Sequence, residues 1–198
     1  MRLLKERILS QGKYLGNGIL KVDSFINHQV DPELMDSCGR ELASFFKDSG
    51  ASRVLTAEIS GIAPALMTAK YLGLPVVYAN MVGGQDELVF DGASFAMEAD
   101  GHLTHQFAAF EEALGFLQIQ DGKLQDGEKC VVPVQEASIY RALCLGVKDY
   151  IGKNKFPGVL LGLSGGIDSA LTLAVAVDAQ AVVVAVRGDD DARAGDVA

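Results

Sequence analysis

Ser164, Gly165, Gly166, Asp168 and Ser169 lie within six consecutive positions, directly after the apolar run Val159, Leu160, Leu161, Gly162, Leu163. The run reads as a buried strand, and the apolar stretch that starts near Asp168 reads as a helix. A strand that enters a glycine-rich turn and then a helix N-terminus makes an anion site. The turn's N–H groups and the helix's unpaired first donors converge on one place. Gly165 and Gly166 are expected to let the backbone approach a phosphate closely and to take φ > 0. The Ser164 and Ser169 hydroxyls add donors, and Asp168 is placed to orient a metal or the turn itself. The competing reading is a strand-to-helix connection that merely needs small residues. Several motif positions in the right strand, turn and helix order weigh against it.

The hexad Ser-Gly-Gly-Ile-Asp-Ser at 164–169 resembles the pyrophosphate-binding loop of the ATP pyrophosphatases, which split ATP into AMP and pyrophosphate. The longer string from Phe156 to Asp178 is similar to the start of the synthetase domain in the glutamine-dependent NAD+ synthetase family. No Gly-Lys-Ser/Thr follows, so this is not a Walker A loop. The resemblance implies ATP contacts at Gly162, Leu163, Ser164, Gly165, Gly166, Ile167, Asp168 and Ser169. It also implies Mg2+ beside the phosphates, with Asp168 as its candidate ligand. In the complete enzyme ATP adenylates the nicotinate carboxylate of deamido-NAD+, and ammonia displaces AMP to give NAD+.

The elements that must hold such a loop are drawn from a chain of 198 residues, enough for one domain or two small ones. Hydrophobic content of 49% argues against disorder. A net charge of −9 disfavours broad nucleic-acid or anionic-membrane binding, yet allows a local phosphate site. Cys38, Cys130 and Cys144 are widely spaced and odd in number, which suggests a reducing compartment rather than a disulfide framework. With no leader-like apolar region and no run long enough to span a bilayer, a cytoplasmic protein is expected.

Upstream, residues 1–15 read as an amphipathic helix with Leu3, Leu4, Ile8 and Leu9 facing inward, and residues 19–25 alternate like a strand. Asp31 and Pro32 form a helix start. Leu34, Cys38, Leu42 and Phe45 share one face of that helix, which places Cys38 in a core, and Gly50 ends it. Residues 53–79 read as strand, loop, helix, strand: a βαβ unit with a parallel pair. Its loop, Glu58, Ile59, Ser60 and Gly61, sits where α/β proteins place ligands, or is a plain turn shaped by Gly61.

Two stretches of this half, residues 20–32 and 56–65, are similar to the N-terminal half of the xanthine phosphoribosyltransferases, a resemblance covering about residues 1–79. It implies that Leu20 and Asn27 contact xanthine and that residues 58–61 match the pyrophosphate-side loop. An amide at Asn27 offers a purine edge both donors and an acceptor. The pattern then stops, because Asn80-Met81 stands where a basic pair is expected. The later apolar strand at 181–186 is interrupted by Arg187-Gly188 before its acidic residues, so a ribose-phosphate loop is not expected there.

Residues 82–97 resemble the last strands of the synthetase family's nitrilase-like glutaminase domain. The Asp-Gly turn at Asp100 and Gly101 argues a β-hairpin by itself. The acids Asp86, Glu87 and Asp91 read as a structural turn rather than a metal cluster. The surroundings of Cys130 differ from those of the family's glutaminase nucleophile, so glutaminase chemistry is not expected. Residues 118–133 read as a polar linker. Residues 136–154 read as a helix with Ile139, Leu143, Val147 and Tyr150 inward. After Asp178 the resemblance fades, and the tail at 181–198 reads as a frame slip or an arbitrary end.

The sequence therefore predicts an α/β chain of parallel-sheet βαβ pieces: a phosphoribosyltransferase-like half at 1–79 and a nitrilase-like β-hairpin piece at 80–117. A linker at 118–133 then leads to a truncated start of an adenine-nucleotide α-hydrolase-like ATP-binding domain at 134–198. Its expected ligands are nucleotides: ATP, deamido-NAD+ and xanthine. A homodimer is implied by the resemblances, and no nucleic-acid or membrane partner is expected. Three functions follow: an ATP-binding synthetase piece not competent alone, a purine phosphoribosyltransferase, and a non-catalytic chimera.

Overall fold

A computed structural model describes residues 1–26, 29–57 and 59–187. The chain forms two compact units, Met1–Met81 with Gly92–Val132, and Val82–Asp91 with Pro133–Ala198. In chain order the elements are α1 (Arg2–Gln11), β1 (Lys13–Gly16), β2 (Ile19–Lys21), α2 (Pro32–Phe46), β3 (Val54–Ala57), α3 (Ile62–Leu72) and β4 (Val76–Ala79). There follow β5 (Val82–Gln85), β6 (Leu88–Asp91), β7 (Phe95–Met97), β8 (Leu103–Gln106), β9 (Ile119–Gln120) and β10 (Lys123–Leu124). The last are α4 (Gln135–Asn154), β11 (Val159–Leu163), α5 (Ile167–Asp178) and β12 (Val183–Arg187). No helix among the described residues is long and apolar enough to cross a membrane.

In the first unit, β3, α3 and β4 are the expected βαβ, with Val54 to Ala57 in parallel register against Val76 to Ala79. The sheet continues antiparallel through β7 and β8, in the order β3-β4-β7-β8. The turn at Asp100 and Gly101 closes the β7–β8 hairpin as expected; the Asp100 carboxylate accepts from the His102 N–H. Residues 119–124, expected as linker, form the small β9–β10 hairpin around Asp121 and Gly122.

Helix α2 begins as its sequence says. The Asp31 carboxylate accepts from the Leu34 N–H at 3.0 Å, with Pro32 in the first turn. Phe25, Leu34, Met35 and Cys38 form a buried cluster, joined by Leu4 and Ile8 of α1 and by Ala63 and Met67 of α3. The inward stripes are narrower than expected. Leu3, Leu9 and Phe45 are exposed, because α1 meets the cluster through Leu4 and Ile8 and α2 meets it through Leu34, Met35 and Cys38. The chain also leaves α2 at Phe46, before Gly50, whose φ of +74° serves the following turn. Gly39 marks the α2–α3 crossing: a Cβ there would stand 2.3 Å from the Met67 Cβ and 2.6 Å from its carbonyl carbon.

In the second unit, α5 connects the parallel strands β11 and β12, paired from Val159↔Val183 to Leu163↔Arg187. The β5–β6 hairpin turns through Asp86 and Glu87, with Asp86 at φ +53°, and packs on α4. Asp86 and Glu87 lie in this turn, whereas Asp91 ends strand β6 opposite Val82; no group of three metal-ligating side chains is found among the described residues. The hairpin is clamped through its backbone. The Gly84 N–H donates to Asp149 at 2.8 Å, while the Lys153 ammonium donates to the Gly84 carbonyl at 2.5 Å and pairs with Asp149 at 2.9 Å. Gly83, at φ +140°, would drive a Cβ to 2.7 Å from that same carboxylate.

This clamp corrects the expected facing of α4. Ile139, Leu143 and Tyr150 are exposed, because the hairpin meets the helix along Gly146, Asp149 and Lys153, a stripe rotated from theirs.

Two outcomes follow. Gly39→Ala should destabilise the first unit by about 1–3 kcal/mol through overpacking, read as a lower denaturant midpoint at unchanged slope. The hydrogen bond from Lys153 holds the Asp149 carboxyl below the usual carboxylate range, against a smaller opposing effect of burial. A depressed folded-state pKa stabilises the fold above the unfolded value of about 4 and loses that contribution as pH falls through the folded one. The Gly84 amide resonance should therefore hold steady from neutral pH down to about 4 and shift only in stronger acid. A shift centred at or above the ordinary carboxylate value would contradict the clamp.

Candidate nucleotide site

The candidate loop leaves the C-terminal end of β11 at Leu163 and enters α5 at Ile167. Ser164, Gly165 and Gly166 make the turn, and Gly166 is the N-cap, with φ −84°, ψ 165° and no side-chain cap. The structure thus brings the expected residues, Gly162 through Ser169, into one strand-turn-helix. Gly165 takes φ +84°, as expected, but Gly166 does not. At the N-cap the backbone is extended, so only one glycine meets the left-handed requirement.

Hydroxyls shape the turn from inside. The Ser164 and Ser169 Oγ atoms lie 3.2 Å apart, and Ser169 Oγ donates to the Gly166 carbonyl at 3.0 Å. The Gly166 N–H donates to Ser164 Oγ at 3.5 Å. A Cβ at Gly162 or Gly165 would meet nothing within 4 Å, so the loop is bordered by open space on both glycines. Gly162, Gly165, Gly166, Ile167 and Asp168 are exposed, whereas Leu163 is half-buried. Asp168 stands in the first turn of α5, where the helix dipole favours a carboxylate.

The other sequence candidates lie in the first unit or outside the described residues. Leu20 is exposed on β2, opposite Tyr14 of β1. Asn27 lies outside the described residues, as does Glu58. Ile59 is exposed, and Gly61 enters α3 with φ −76°, a Cβ there standing 2.8 Å from Thr56 Oγ1. Gly61 is therefore a close-packing glycine. Burial pushes the Cys38 thiol up, and the Cys130 and Cys144 thiols are pushed up by desolvation and then by the charges of Glu128 and Asp178. Raised thiols are poor nucleophiles at neutral pH.

Two features escaped the sequence reading. One is an open groove of about 880 Å³ beside the β5–β6 hairpin, lined by Val89, Val147, Tyr150 and Ile151. It borders Val159 at the start of β11, the opposite end of the strand from the loop. The other is a hydrogen bond of 2.6 Å from the Tyr140 hydroxyl on α4 to Asp178, the last residue of α5. Asp178 holds the Tyr140 hydroxyl protonated, its pKa pushed up to about 12. Only a tyrosine and an aspartate 38 positions apart signal that contact.

Comparison with known proteins covers the stretch that holds the loop. The family model of NAD synthase matches residues 139–192, which includes the whole of 162–169 and runs past Asp178, where the resemblance was expected to fade. A glutamine-dependent NAD+ synthetase of Rhodobacter capsulatus is 46% identical over 111 residues, 54% of this chain and 20% of that protein. A xanthine phosphoribosyltransferase of Lactobacillus delbrueckii is 57% identical over 79 residues, 40% of this chain and 42% of that protein. It matches a partly different stretch. Among solved structures, the glutamine-dependent NAD+ synthetase of Acinetobacter baumannii in complex with ADP superposes with a TM-score of 0.57 at 44% identity. It covers 62% of this chain and 24% of its own. The chain thus spans about a fifth of the synthetase relative and about two fifths of the transferase relative. It carries an NAD synthetase-like piece in a mixed α/β fold whose sheets include parallel pairs.

The two glycines of the β11 end should part company on substitution. Gly162→Ala should leave stability within about 0.5 kcal/mol of the parent. Gly165→Ala should cost about 1–2 kcal/mol, because an L-residue is strained at positive φ. Equal unfolding midpoints for the two variants would contradict the turn geometry.

Proposed function

We propose that residues 162–169 bind the phosphates of ATP, as the ATP-binding piece of an NAD+ synthetase. The single observation that carries this reading is the loop itself: a parallel strand, one left-handed glycine and an N-cap glycine open toward solvent at a helix N-terminus. The A. baumannii structure, which holds ADP, supports a nucleotide as the ligand class.

Mg2+ fits the residues present. Among the described residues no set of three protein ligands converges, and Mg2+ bound to nucleotides takes one or two carboxylates with phosphate oxygens and water rather than a protein cage. Asp168 would supply that carboxylate, and the ion would share the phosphate charge. In this reading the N–H groups of the turn and of the first turn of α5 hold the anion, while the Ser164 and Ser169 hydroxyls would exchange their bonds within the turn to donate to the phosphate. The finer fold reading also belongs here: an adenine-nucleotide α-hydrolase-like arrangement around β11, α5 and β12, and a nitrilase-like origin for the hairpin strands. The proposal extends to ATP-dependent amidation of deamido-NAD+ in the complete enzyme, but not to turnover by this chain alone. Adenylation needs two substrates held at near-attack distance, and one anion loop positions one.

Identity of 57% over 79 residues favours xanthine as a second ligand, of the first unit, through Leu20 and Asn27.

Titration calorimetry with ATP and Mg2+ tests the main reading. The parent chain should bind and Gly165→Val should not, because a branched side chain both strains the turn and blocks the approach of phosphate. Equal affinity of the two proteins would overturn it. Xanthine titrated into the same preparations should give heat that Asn27→Ala removes and Gly165→Val leaves intact.

A further inference from the structure

We infer that Tyr140 is a positioning residue for the anion-binding end of α5, acting through Asp178 at the other end of that helix. The inference rests on the nucleotide reading above and names a device that would tune it. Helix α5 is packed most deeply toward its C-terminal end: its buried residues are Val175 and Ala176, followed by Ala179 just beyond it. Toward the loop, Ile167, Asp168, Ala170 and Leu171 are all exposed. The phosphate-binding end, tied to β11 by the short turn and the Ser164–Ser169 contact, is therefore the less buried end of a twelve-residue rod about 18 Å long, packed more firmly at its far end. A small rotation where the rod is held moves the donors at its tip.

What holds the far end is chemically specific. Asp178 is a carboxylate at a helix C-terminus, where the dipole disfavours negative charge, so it does not serve the helix it belongs to. Its Oδ2 accepts the Tyr140 hydroxyl at 2.6 Å, a hydrogen bond to a charged acceptor between α5 and α4. Helix α4 is itself held by the Asp149 and Lys153 clamp on Gly84. The chain of contacts runs from hairpin to α4, from Tyr140 to Asp178, and along α5 to Gly166. A carboxylate in an unfavourable electrostatic place, aimed at a single hydroxyl, fits a register-setting contact.

The test uses the full chain with Tyr140→Phe, Asp178→Ala and Asp178→Asn, read by calorimetry with ATP and Mg2+ and, without ligand, by backbone amide NMR. Tyr140→Phe and Asp178→Ala should weaken ATP binding about three- to tenfold, the size of one lost hydrogen bond. Asp178→Asn keeps an acceptor oxygen for the hydroxyl and should restore near-parent affinity. Without ligand, the Gly165 and Gly166 amide resonances should move in the first two variants and stay in the third, while the rest of the spectrum shows an intact fold. ATP affinity that Tyr140→Phe leaves unchanged overturns the inference, as do unmoved Gly165 and Gly166 resonances or failure of Asp178→Asn to rescue. If the parent chain does not bind ATP, the nucleotide reading falls, and the amide shifts still decide separately whether Tyr140 sets the position of the loop.

Discussion

The first unit depends on one ladder. Strand β4 pairs with β3 in parallel on one side and with β7 antiparallel on the other. Val76 and Tyr78 are buried in that strand, and Tyr78 meets Phe95 of β7 with ring centroids 5.0 Å apart. Backbone pairing asks little of side-chain identity: each N–H needs a carbonyl, and each buried face needs apolar cover. That tolerance would let strands of different origin sit side by side in one sheet. The β4–β7 pair lies close to the join expected from the sequence near residues 76–82. A ladder can continue across such a change where a packed helical core, which depends on complementary shapes, would not.

The second unit shows the opposite economy. Its strands β11 and β12 make a two-stranded parallel sheet, an arrangement whose strands ordinarily have both faces covered. Here Leu160, Val184 and Val186 lie exposed along one face. Order in this unit comes from few and specific contacts: the Asp149 and Lys153 grip on Gly84, and the Tyr140 bond to Asp178. These bonds are polar and directional, so they fix orientation more than they contribute stability. A site that relies on orientation, as an anion loop does, is sensitive to them.

Local signals were legible in the sequence because they are local. Asp31 and Pro32 mark the start of α2 through a bond that spans three residues, and the loop at 164–169 needs only its own strand, turn and helix. The βαβ unit and the hairpin at Asp100 and Gly101 are likewise written in short-range pattern. What failed was long-range. Nothing near residue 84 says that its amide will be held by a carboxylate 65 positions away, so the stripe on α4 was assigned to Ile139, Leu143, Val147 and Tyr150, of which only Val147 is not exposed. A Gly-Gly pair in a strand, with an aspartate and a lysine four apart on a later helix, was the available hint. Gly166 failed for a subtler reason: glycine permits positive φ without requiring it, and an N-cap needs extended backbone.

Charge gives the last step. A chain of net charge −9 looks a poor host for a polyphosphate, yet the donors of the loop are backbone N–H groups, which carry no share of that charge. Their field is local, and exposed charges more than about 8–10 Å away are screened at physiological salt. The nearer difficulty is Asp168, a carboxylate in the first turn of the helix that would receive the phosphate. Bare, it competes for the same dipole and repels the ligand. Were a divalent cation held by Asp168, as proposed, it would offset the carboxylate's charge beside the phosphate, and the repulsive element would become a selective one. A loop built this way should discriminate against a phosphate that arrives without its metal, which a glycine turn alone has no means to do.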